Sequence, residues 1–74
     1  MGGVAYYNLG QYQRAIEDFA EAIRLDLQNA MGYSNRALSY IHLGNDEDAQ
    51  RDVEQAIQLG FDRSSLESAI EEAR

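Results

Sequence analysis

A chain of 74 residues is enough for one small domain, and at that length only about 60–70% of the unfolded surface is buried on folding, so a lone core is marginal. Thirteen acidic residues face six basic ones, all of them arginine, for a formal net charge of −7; such a surface repels phosphate backbones and anionic lipid leaflets, which argues against nucleic-acid and membrane partners. Hydrophobic residues make up 45% and charged residues 26%, with no cysteine and no proline: a globular balance rather than a disordered one.

The opening Met1-Gly2-Gly3-Val4-Ala5-Tyr6 lacks the charged and apolar regions of a signal peptide. It also has Tyr6 where N-myristoylation requires Ser or Thr. No apolar run approaches the roughly 18–20 residues needed to cross a bilayer, and the expected compartment is the cytoplasm. The first helical pattern, about Gly3 to Leu9, is far shorter than the roughly 12–15 residues an isolated helix needs, and Gly2 and Gly3 weaken it further. Gly10 ends it and turns the chain. Tyr12, Ala15, Ile16, Phe19, Ala22 and Ile23 then fall on one stripe of a second helix. The run from Leu25 through Leu27 to Met31 contains neither proline nor glycine, so one long helix is able to continue across it. Otherwise Asn29 caps a helix that begins at Ala30, with Tyr33, Ala37, Tyr40 and Ile41 in its pattern and Gly44 at its end. Asn45 is placed as the next cap, followed by Asp46, Glu47 and Asp48 at the positive end of the helix dipole; the stripe is Ala49, Val53, Ala56 and Ile57. Last, Ser64 and Glu67 form a capping box that opens an amphipathic helix bearing Leu66, Ala69, Ile70 and Ala73. The spacing thus predicts an all-α chain: hairpins over 3–26 and 30–59, then a capping helix over 63–73, in one domain spanning residues 1–74.

The two hairpins repeat. Leu9-Gly10 recurs as Leu43-Gly44, an offset of 34. At that offset Tyr6 falls on Tyr40, Ala15 on Ala49, Asp18 on Asp52, Ala22 on Ala56, Ile23 on Ile57 and Leu25 on Leu59. A fixed period of this length marks stacked supersecondary units. With Gly3, Tyr6, Ala15, Phe19 and Ala22 in the first unit, and Tyr33, Ala37, Tyr40, Ala49, Val53 and Ala56 in the second, the chain resembles the tetratricopeptide repeat (TPR) family, whose signature is W-x2-L-G-x2-Y, A-x3-F and P. The resemblance implies an α-solenoid fragment of about one and a half repeats plus a cap. Three departures stand out: the first helix lacks its opening turn, Arg36 replaces a buried leucine, and Leu27 and Phe61 stand where the family has proline.

Catalysis finds no support. His42 is the one histidine, and no nucleophile motif accompanies it. Asp46-Glu47-Asp48 lacks the glycine and distal glutamate of a calcium loop, and Gly2, Gly3 and Gly10 do not make a dinucleotide loop. No enzyme activity, cofactor or metal is expected. What the resemblance implies instead is a concave groove lined by the first helix of each hairpin. That places Val4, Tyr7 and Asn8 in it from the first unit, and Met31, Ser34, Asn35, Leu38, Ile41 and His42 from the second. Asn35 matches the asparagine with which chaperone-binding members hold a terminal carboxylate. However, Val4 stands where that clamp needs an asparagine, and Ser65 and Ala69 stand where it needs cations, so an acidic tail is not the expected ligand. Tyr6, Tyr33 and Tyr40 take packing positions, while Tyr7 points to the groove.

The expected function is a non-catalytic protein–protein interaction module that takes a partner helix or peptide in this groove. The alternative is a self-assembling unit. A shortened first helix leaves the Tyr12–Ile23 helix under-covered, and a second copy is able to cover it by end-to-end stacking or by helix exchange through a continuous helix across Leu27. On either route a homo-oligomer is expected.

Overall fold

The computed structural model describes residues 2–74, and among them every regular element is an α-helix. The helices are α1 (Gly2–Asn8), α2 (Tyr12–Leu25), α3 (Ala30–Leu43), α4 (Asp46–Gln58) and α5 (Arg63–Ala73). Helices α1 and α2 form one hairpin and α3 and α4 the next, with α5 packed on α3. The helical periodicity of the apolar residues explains this arrangement. Ala15, Ile16, Phe19 and Ile23 bury the inner stripe of α2, Ala37 and Ile41 that of α3, and Ala49, Val53 and Ala56 that of α4.

The turns inside the hairpins are the same device used twice. At Gly44, which has φ of 79°, the amide donates to the Ile41 carbonyl, and the Asn45 amide reaches back to Tyr40 at 2.9 Å. Gly10 and Gln11 make the matching pair of bonds to Tyr7 and Tyr6. This is the left-handed glycine stop that satisfies the last carbonyls of a helix. Gly60 ends α4 in the same way, with Phe61 reaching Ala56.

Three local expectations need correction. Helix α5 does not start on a Ser64–Glu67 box: its cap is Asp62, whose carboxylate accepts from the Ser65 amide and the Ser65 hydroxyl at 2.9 and 2.8 Å. A carboxylate is the stronger acceptor, so the helix begins as soon as Asp62 is able to reach its third residue. Asn45 occupies the cap position of α4 but makes no side-chain cap bond, whereas Asn29 does cap α3, accepting from the Gly32 amide at 3.0 Å. Nor does the chain run on as one helix past Leu25. Asp26 turns extended, its carboxylate accepts from the Gln28 amide at 3.1 Å, and a new helix starts after Asn29. An Asx turn followed by an Asn cap breaks the helix without proline or glycine.

The core is deepest in the second hairpin. Leu66 of α5 is 1% exposed and lies among Ala37, Val53 and Ala56, with Tyr33, Ile57, Phe61 and Ile70 packed around them. Phe61, standing in place of a proline, is thus part of the packing. Arg36, in place of a leucine, turns to the buried Asp52: its Nε and Nη2 donate to the two carboxylate oxygens at 2.7 and 2.8 Å. The guanidinium also lies 5.7 Å from the Tyr33 ring and 6.0 Å from the Tyr40 ring. This bidentate pair holds α3 to α4 where an apolar contact would otherwise do so.

Candidate functional site

Along α3, Met31, Asn35, Leu38 and His42 are spaced i, i+4, i+7 and i+11, which puts them on one face. The structure opens two depressions along that face. The first, of about 410 Å³, is lined by Tyr7 and Asn8 of α1, Tyr12 of α2, Leu38 and His42 of α3, and Ala69, Glu72 and Ala73 of α5. Its floor is a cluster of three rings. Tyr12 and His42 stack with centroids 4.3 Å apart and planes 2° from parallel, and Tyr7 meets both edge-on at 5.4 and 5.3 Å. The Tyr7 hydroxyl and His42 Nε2 share a hydrogen bond of 2.9 Å. Burial, and secondarily the neighbouring Tyr12, push the Tyr7 hydroxyl above its ordinary pKa. It therefore stays protonated at neutral pH and able to donate.

The second depression, of about 470 Å³, lies beside the start of α1 and takes in Val4, Met31 and Asn35 together with Phe19, Ala22 and Leu25 of α2. Leu25 is 72% exposed and Met31 64%. The residues assigned to one groove thus divide between two. Tyr7, Asn8, Leu38 and His42 line the first; Val4, Met31 and Asn35 line the second. Ser34 and Ile41 line neither, and their placement in a groove is corrected. Both are buried, on the stripe that contains Ala37 between them, and the Ser34 hydroxyl donates to the Met31 carbonyl at 2.9 Å. Each lies one position, about 100° of helix rotation, from the open face. Tyr12 is the residue that sequence reasoning missed. It was placed on the apolar stripe of α2, but as the first residue of that helix it escapes the core and reaches the ring cluster.

Chemically, the first depression offers aromatic and aliphatic surface, the Asn8 amide, one phenol–imidazole pair, and Glu72 as its one formally charged lining residue. It presents no cation to a carboxylate. Among the described residues no cluster of His, Asp and Glu is placed to hold a metal ion, and no helix is long and apolar enough to cross a membrane.

Comparison with known proteins agrees with the helical repeat. A family profile described as TPR repeat matches residues 3–44, and one described as tetratricopeptide repeat matches residues 32–59. The chain is 40% identical over 62 residues to the Protein STIP1 homolog of Dictyostelium discoideum, a stretch covering 84% of this chain and 11% of that protein. It is likewise 40% identical over 62 residues to Translocon at the outer membrane of chloroplasts 64 of Pisum sativum, covering 84% of this chain and 10% of that one. The DnaJ homolog subfamily C member 7 homolog of Schizosaccharomyces pombe is 36% identical over 73 residues, covering 96% of this chain and 15% of its own length. This chain therefore spans about a tenth to a seventh of each relative. No solved structure gives a significant match.

Proposed function

The chain belongs to the tetratricopeptide repeat family, and from that membership we propose that it is a non-catalytic protein-interaction module that seats a partner peptide or helix against α1, α3 and α5. The observation that carries this reading is the 410 Å³ depression, where Tyr7 of α1, Tyr12 of α2 and His42 of α3 converge to make an aromatic floor beside Leu38. A preformed apolar concavity with a few fixed polar groups is the usual form of a peptide site. Tyr7 and Leu38 supply apolar contact, while Asn8 and the Tyr7–His42 pair fix register. Glu72 and the overall charge of −7 favour a neutral or basic ligand over one that docks by a carboxylate.

Selection of twelve-residue peptides on the immobilised chain tests this proposal. The enriched peptides are expected to perturb the amide signals of Asn8, Leu38, His42 and Ala69, and to lose roughly tenfold or more in affinity against Tyr7→Ala. Peptides indifferent to Tyr7→Ala and Leu38→Ala, or peptides mapping to the outer faces of α2 and α4, overturn the assignment.

Self-assembly is the second reading. It is favoured by the exposed Val4, Leu25, Leu27 and Met31, all near the start of α1 or the α2–α3 connection. End-to-end stacking fits these residues better than helix exchange, because the Asp26 turn opposes a continuous α2–α3 helix. A sedimentation series from micromolar to millimolar concentration decides it: a rising mass supports a homo-oligomer, and a constant 8.3 kDa species removes it.

A further inference from the structure

The depression bounded by α1, α3 and α5 is richer in hydrogen-bond acceptors than in donors. Glu72 is the one formally charged residue of its lining. The Tyr7 hydroxyl spends its proton on His42 Nε2, so what the phenol has left to offer is an oxygen lone pair. The Asn8 amide adds a carbonyl oxygen. Between these acceptors the surface is aromatic and small. Tyr12 stacks on His42, and Tyr7 stands edge-on to both. On α5, Ala69 and Ala73 are one turn apart, and Glu72 follows Ala69 by three positions. The two methyl side chains leave a trough, with the exposed Glu72 carboxylate at its rim. Leu38 faces them from α3. This is the inner face that the three helices share, and further repeats at either end prolong such a face rather than cover it.

We infer that the partner segment is anchored in this groove by an arginine side chain, its stem along Leu38, Ala69 and Ala73 and its guanidinium between the ring cluster and Glu72. The inference rests on the peptide-groove function proposed above and adds to it the side chain that the groove selects. A guanidinium brings five donors and no acceptor, which complements a lining of carboxylate, phenol oxygen and amide carbonyl. Its plane lies flat on aromatic rings, and water holds it less tightly than an ammonium, so arginine outranks lysine. The aliphatic stem covers apolar surface while the charged head stays within reach of solvent, as the exposed Glu72 requires. A second copy of this chain is the poorer source of the arginine, since two molecules of charge −7 repel.

The probe is a short acetylated, amidated peptide of alanine and leucine with one central arginine, titrated into the isotope-labelled chain at low salt. Its companions carry citrulline, which keeps the shape without the charge, or lysine at the same place. Amide shifts are expected at Asn8, Leu38, Ala69 and Ala73. Citrulline is expected to weaken binding roughly threefold to tenfold, the scale of an exposed ion pair joined to a cation–ring contact, with lysine between the two. Glu72→Gln brings the arginine peptide down towards the citrulline peptide and leaves the latter nearly unchanged. Glu71→Gln removes the same charge from outside the depression and is expected to alter neither. Groove shifts with equal affinity for arginine and citrulline overturn the arginine anchor and leave the groove standing. So does an absence of shifts up to on the order of 2 mM arginine peptide while the selected twelve-residue peptides still bind at Asn8 and Leu38; if those fail as well, both readings fall. Equal losses from Glu72→Gln and Glu71→Gln assign the attraction to overall charge, and tighter binding of lysine assigns it to an ammonium; either result overturns the inference. Groove shifts that grow with protein concentration alone assign the site to a second copy and overturn it equally.

Discussion

The two hairpins share a plan but not a degree of cover. Both turn on a left-handed glycine with the same pair of backbone bonds, and both bury the matching pairs Ala15 and Ala49, and Phe19 and Val53, on the second helix. Yet α3 has 14 residues where α1 has seven, and the consequences appear position by position. Ala56 is fully buried while its counterpart Ala22 is half-buried, Leu59 is half-buried while Leu25 is 72% exposed, and Phe61 packs on the core while Leu27 is 69% exposed. Hairpin formation is therefore written in each unit's own turns and stripes. The completeness of its core is set by what the neighbouring helix lays over it.

The largest test of that contrast is Leu66→Ala. Emptying a site that is 1% exposed costs about 2–5 kcal/mol, a large share of the stability of so small a domain. Urea melts and amide exchange are expected to show α5 released and the second hairpin opened, whereas Leu25→Ala changes stability by less than about 0.5 kcal/mol. Equal effects would erase the distinction between covered and uncovered ends. Next comes Asp52→Asn, which leaves the mostly buried Arg36 guanidinium short of its anion and costs about 1–3 kcal/mol. The matching Asp18→Asn strands no cation among the described residues, so its melting temperature is expected to stay close to that of the parent chain.

Gly3→Ala sharpens the comparison from the other side. A Cβ there would sit 2.6 Å from the Phe19 ring, although the matching residue in α3 is Ala37. Overpacking of about 1–3 kcal/mol outweighs the gain of about 0.5–1 kcal/mol from removing a helical glycine, and a thermal melt should show net destabilisation. If instead the variant is more stable, α1 is free to move away from α2. The smallest effect concerns Asp62. Hydrogen bonds from the Ser65 amide, and then from its hydroxyl, hold this carboxyl below the usual aspartate range. The ionised form is the folded-state form, so its contribution is complete above the unfolded value of about 3.9 and fades as pH falls through the lower folded value. Melts between pH 2 and 5 should therefore decline less steeply for Asp62→Asn, with the difference confined to α5.

The helices and the repeat were legible because periodicity and glycine stops are local signals. The shortened α1 and its exposed neighbours were legible too, since the offset of 34 says which residues are missing a partner. The α5 cap was misplaced because Ser64 and Asp62 are both capable caps, and the choice depends on hydrogen-bond strength rather than on pattern. Ser34 and Ile41 were assigned to the wrong face because a stripe read from a family likeness is broader than the open face of a real helix. The Arg36–Asp52 pair lay beyond reach for a different reason. Residues 16 apart on two helices meet only once the hairpin has closed, and nothing in either residue's immediate neighbourhood announces the other.

Every major helix pairing in the molecule joins elements that are adjacent or next but one along the chain. Such short-range topology asks little of loop closure, and chains built this way complete folding within microseconds to milliseconds. Contact is richest between α3 and α4, then between α2 and α3, and sparsest where α5 meets α3, so local opening is expected to begin at the two ends, α1 and α5, and to reach the central helices last.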